Sequence, residues 1–156
     1  MDGNAQQAPI ATHQESIGRD PAELQAGFTI EHGTARTVQD FDNATLALLS
    51  MNTHPSHIDY EFAAGTQFGR PLVVSPLLVS SLTAIFLNDY RHLAFTSLEI
   101  RELTFLKPTF PGHTVRVTSK VVERTDAELR VGIEGHKRDE GVFCTFELVL
   151  GLREGA

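Results

Sequence analysis

The feature that most limits what this chain can fold into is the segment Ser75 to Arg91, SPLLVSSLTAIFLNDYR. Serine suits a helix N-cap, and proline is tolerated in the first turn because its missing N–H has no carbonyl to meet there. Behind this start, Leu77, Leu78, Leu82, Ile85 and Phe86 fall at helical spacing on a broad apolar face. Everything downstream alternates instead. Leu98, Ile100 and Leu103 lead to Phe105, and Pro108, Pro111 and Gly112 then break the chain. Val115, Val117 and Val121, then Leu129, Val131 and Ile133, keep the strand period. A turn at Asp139-Glu140-Gly141 precedes a last segment, Phe143 to Val149, of the same kind. A helix with so wide an apolar face must be wrapped rather than merely touched. The order predicts an α+β domain, a sheet of about five or more antiparallel strands around a helix over Ser75–Arg91.

Upstream, Phe28 to Arg36 reads as a first strand, and Asp40 as the N-cap of a helix carrying Phe41, Ala44, Leu48 and Leu49. Pro55 interrupts the next stretch, so Asn52–Phe68 is expected to be a loop with a short helix over Asp59–Ala64. Residues 1–22 are polar and aperiodic, which predicts a flexible tail before a single domain over 23–156. The net charge of −7 leaves no basic face for nucleic acid. No apolar run approaches the roughly 20 residues of a membrane helix, and the N-terminus lacks the basic and apolar regions of a secretory leader. A soluble, cytoplasmic protein is expected. The single cysteine, Cys144, excludes an internal disulfide and sits in an apolar alternation, so it is read as core.

The stretch from Asn52 to Leu78, NTHPSHIDYEFAAGTQFGRPLVVSPLL, resembles the motif of the MaoC-like hydratases, G-D-x-N-P-x-H-x-D followed by F-x-R-x-I-x-H-G-M-L. LTFLKPTFPGHTVRV resembles the strand that crosses beneath the active site in the same family. The resemblance runs from about Phe28 to Arg153. It implies a hotdog fold and the interconversion of 2-enoyl and 3-hydroxyacyl thioesters of CoA or acyl carrier protein, by a homodimer or larger homo-oligomer, without a cofactor.

By position in that motif, His57 matches the catalytic histidine and Asp59 the acidic residue after it. Asn52 stands where the family has its catalytic aspartate, and His54 where it has asparagine. Ser75 replaces the glycine whose backbone N–H binds the thioester oxygen, and Thr83 falls where a helix hydroxyl supports the site. The form PLVxS is similar to the mesaconyl- and itaconyl-type hydratases, which take short dicarboxylic acyl chains. Arg70, Lys107 and Arg116 are the basic residues that CoA phosphates would meet, if they are not simply solvated surface charges.

Hydration needs a base for water, a proton for the α-carbon and a donor for the enolate oxygen. A carboxamide at Asn52 can orient water through its oxygen but cannot take up its proton. That leaves His57, with His54 or Asp59 as possible helpers. His54 and His57 lack the further ligands of a zinc site, so no metal is expected. Two other readings stay open: a non-catalytic acyl-thioester binder or partner subunit, and a thioesterase. Against the latter, Leu77–Leu87 offers no carboxylate.

Overall fold

The computed structural model describes residues 18–153. After a 3₁₀ turn at Pro21–Glu23 come strands β1 (Thr29–Glu31) and β2 (Arg36–Thr37), then helix α1 (Asp40–Leu49). Two short helices, α2 (Pro55–Ile58) and α3 (Tyr60–Ala64), precede the central helix α4 (Ser75–Asp89). Strands β3 (Phe95–Phe105), β4 (Thr114–Arg124), β5 (Glu128–Lys137) and β6 (Gly141–Leu152) complete the chain. All pairings are antiparallel, in the order β1-β4-β5-β6-β3, with β2 also on β4. This is the hotdog arrangement. No helix among the described residues is long and apolar enough to cross a membrane.

Helix α4 is the filling. Leu77, Leu78, Leu82, Ile85 and Phe86 are buried against Val115, Val117 and Val121 of β4, Leu129, Val131 and Ile133 of β5, and Phe146, Leu148 and Leu150 of β6. Each such side chain contributes about 1.5–3 kcal/mol of apolar burial. The helix comes unusually close to the sheet at Gly135. A Cβ there would lie 2.7 Å from Leu82 Cδ1 and 2.9 Å from Phe143 Cε1. Cys144 faces this core, and burial pushes its thiol up to about 11, which makes it inert.

Several boundaries differ from the expectation. The first strand divides in two: His32 points inward in the same alternation as Ile30 and still donates its N–H to Val117 O of β4 at 2.9 Å, and the chain then leaves β4 until Arg36. Gln39, not Asp40, caps α1, with its N–H donated to the Asp42 carboxylate at 3.0 Å. Val74 rather than Ser75 is the N-cap of α4, so Ser75 is its first helical residue and Pro76 its second. The helix stops at Asp89, short of Arg91. Pro55 does not merely interrupt; it opens α2, where its fixed φ and absent N–H suit a first turn. Most of the expected tail, residues 1–17, lies outside the described residues. Its end is bonded to the core: Arg19 donates its N–H to Asp89 O at 2.7 Å, and the Arg124 guanidinium donates to Pro21 O.

His32 is fully buried, with Nδ1–H donated to Asp89 Oδ2 at 2.6 Å and Nε2 2.8 Å from Ser119 Oγ. This ties β1, the end of α4 and the middle of β4 together. Strand β3, by contrast, pairs only with β6 and has no buried residue along its length. Leu98, Leu103 and Phe105 on it, and Leu106 after it, are exposed.

Candidate active site

His57 is the last-turn histidine of α2, a single turn of helix built by local chemistry. Pro55 starts it, and the His54 ring caps it by accepting the Ser56 N–H at 3.2 Å. The carboxylate of Asp59 then caps α3 by accepting the Phe62 N–H at 2.9 Å. These two caps hold the loop in a defined path. Leu72 N–H donates to Ser56 O and Val73 N–H to Thr109 O, each at 2.9 Å, so the segment entering α4 lies against both α2 and the approach to β4.

The His57 ring donates Nδ1–H to Leu72 O at 2.9 Å. A carbonyl only accepts, so the proton of the neutral ring is on Nδ1 and the free lone pair is on Nε2. The ring lines a cavity of about 290 Å³, whose walls include Phe68, Ser75, Leu78, Phe105 and Thr109. Ser75, at the N1 position of α4, has an N–H that no helical carbonyl can accept, at the positive end of the helix. An imidazole with a basic nitrogen and a helix N-terminus thus share one mostly apolar wall. A larger cavity, about 380 Å³, lies on the outer face of the sheet among Lys120, Gly132, Glu134 and Glu147. It holds no imidazole and no helix terminus, so the smaller cavity is the better site.

The other sequence candidates are placed differently. His54 and Asp59 are occupied as helix caps and do not line the cavity. Asn52 is half-buried and does not line the cavity, and its carboxamide bonds no described residue. Thr83 is buried two turns along α4 from Ser75, about 12 Å at the rise of a helix, with its hydroxyl unbonded among the described residues. Lys107 does reach the cavity wall, while its ammonium bonds Glu140 O. Arg70 stacks over the Phe110 ring at 4.0 Å and donates to His113 Nε2 at 3.2 Å. Burial first, and then the charge of Lys137, hold the His113 imidazole below its ordinary value, which suits that acceptor role. Arg116 lines a separate groove with Arg138.

A residue that the sequence did not single out lies directly behind His57. Asn43 of α1 is 2% exposed. Its Nδ2 donates to His57 O at 2.9 Å and to Leu72 O at 3.1 Å, while its Oδ1 accepts the Val74 N–H at 2.8 Å. A polar residue at an inward position of an amphipathic helix was the one available signal.

The model of the MaoC like domain matches residues 22–141, most of the chain. The chain belongs to the MaoC-like family. No curated protein matches it by sequence. Among solved structures, this MaoC-like domain is similar to a monoamine oxidase regulatory protein from Archaeoglobus fulgidus, with 26% identity, a TM-score of 0.76, and 90% of this chain and 99% of that chain covered. It is also similar to an (R)-hydratase from A. caviae involved in PHA biosynthesis, with 24% identity, a TM-score of 0.69, and 83% and 97% covered. A third likeness is the 3R-hydroxyacyl-ACP dehydratase complex HadBC from Mycobacterium tuberculosis, at 15% identity and a TM-score of 0.68, with 80% and 96% covered. At these last two identities the likeness shows that the MaoC-like domain shares their fold.

Proposed function

We propose that this chain is an acyl-thioester hydratase or dehydratase that interconverts 2-enoyl and 3-hydroxyacyl thioesters. One observation carries the reading: His57 is held as the Nδ1–H tautomer on the wall of a cavity that also contains the N-terminus of α4. In the hydration direction, Nε2 takes a proton from water as the oxygen adds to the β-carbon. The resulting imidazolium returns that proton to the α-carbon, so one group serves as base and then as acid. Negative charge that builds on the thioester oxygen between these events is met by the Ser75 N–H, a donor of the kind worth about 10²–10³ in rate. Asn52 does not line the cavity in the single chain, and only the resemblance to the family motif supports giving it the lesser part of orienting the water through its carboxamide oxygen.

The acyl group enters as the thioester of CoA or acyl carrier protein, and the mostly apolar 290 Å³ cavity suits a short chain. The protein works as a homodimer paired along β3. That strand is long and unpaired on one edge, and its apolar side chains are exposed in the single chain. Phe105 and Leu106, at its end, already line the cavity, so pairing there would close the site.

The test follows absorbance of the conjugated enoyl thioester with crotonyl-CoA and a short dicarboxylic enoyl-CoA. Hydration should be observed, and His57→Ala should slow it by at least about a hundredfold, the low end for one acid–base group. Release of free thiol would replace this reading with hydrolysis. Binding without turnover would replace it with the acyl-thioester binder or partner subunit.

A further inference from the structure

We infer that Asn43 is a positioning residue for both halves of this site: it sets the tautomer of His57 and aims the donor end of α4. The inference rests on the reading of His57 as the proton-transfer group.

Leu72 O accepts two N–H groups, one from His57 Nδ1 at 2.9 Å and one from Asn43 Nδ2 at 3.1 Å. The carbonyl that selects the imidazole tautomer is therefore itself held by the Asn43 amide. The second donor bond of Nδ2, to His57 O, fixes the backbone on which the ring is carried. On the other side of the same amide, Oδ1 holds the N–H of Val74, the N-cap of α4. The next N–H along the chain is that of Ser75, the proposed oxyanion donor. One rigid plane of atoms thus spans the acid–base group and the oxyanion donor, and it is anchored in a third element, α1.

Only an amide has this combination. Asparagine offers two donors and an acceptor, and all of them are used here on backbone groups. Asn43→Asp preserves the shape and the bond to Val74, but sets a carboxylate oxygen against the carbonyls of His57 and Leu72. Asn43→Ala removes all three bonds. Either change strips Leu72 O of its Asn43 donor and leaves that peptide anchored through Val73 N–H to Thr109 O alone, so the acceptor that favours Nδ1–H is less firmly aimed at the imidazole. A displacement of about 1 Å at a reacting group is enough to cost on the order of a hundredfold.

The deciding measurement is ¹⁵N-edited NMR of the His57 ring at neutral pH. The wild-type chain should show the Nδ1–H tautomer, and both variants should show a substantial Nε2–H population. Steady-state hydration should lose roughly 10- to 100-fold in kcat with KM changed by less than about threefold. A folded variant whose His57 stays in the Nδ1–H form overturns the proposal, whatever its melting temperature. If Asn43→Ala does not fold, Asn43→Asp carries the test, because it keeps the volume. The NMR readout needs no turnover, so failure of this inference and failure of the hydratase reading are separable.

Discussion

Replacing His32 with alanine should destabilise the protein far more than loss of an ordinary histidine. Both side chains of the His32–Asp89 pair are 0% exposed. Asp89 Oδ1 already lacks a hydrogen-bond partner, so without His32 neither oxygen of a buried carboxylate is bonded. Ser119 Oγ loses its partner at the same time. Breaking a buried pair by removing one member costs about 3–5 kcal/mol, because the other charge is left uncompensated. In a domain of this size each kcal/mol lowers Tm by roughly 2–4 °C, which places the loss at roughly 6–20 °C. Thermal melts by circular dichroism at pH 7.5, with urea unfolding to check that the m-value is unchanged, measure it. His32→Leu combined with Asp89→Leu should recover much of the loss, since the pair is then replaced by apolar contacts with Phe86 and Tyr90, which flank the ring at centroid distances of 5.8 and 6.5 Å. A loss below about 1 kcal/mol for His32→Ala, the range of an exposed pair, would refute the argument that this network ties the sheet to the central helix.

Gly135→Ala should cost about 1–3 kcal/mol in chemical denaturation, because its Cβ would meet Leu82 and Phe143 inside contact distance; an unchanged midpoint would mean that α4 can move away freely. Leu98→Lys with Leu103→Lys on β3 should convert a dimer to monomer in size-exclusion chromatography with light scattering, and a wild-type monomer at micromolar concentration would remove the β3 pairing from the proposal. Asn52→Asp should lower hydratase activity towards a dicarboxylic enoyl-CoA, since the new charge opposes an anionic substrate; a rise with crotonyl-CoA would instead mark Asn52 as the trace of a lost base.

Much of this protein was legible without coordinates wherever the cause is local. The apolar spacing behind Ser75-Pro76 specifies a central helix, and alternation specifies four long strands, because side-chain direction repeats every 3.6 residues in one and every two in the other. The MaoC-like motif likewise located His57 and Ser75, which the fold brings to one cavity. What the sequence could not supply were contacts between distant segments. His32 finds Asp89 at a separation of 57 residues and Ser119 at 87, and nothing near His32 announces either partner. The exposure of β3 was equally hidden, since an apolar alternation reads the same whether its neighbour is this chain or another. His54 and Asp59 belonged to the motif, yet in the fold each satisfies a helix N-terminus one turn long. Asn43 read as one polar residue on an amphipathic helix. Its significance arises only when Leu72 and Val74 are folded against α1, because a buried amide must find partners for both donors and its acceptor, and those partners come from wherever the chain returns.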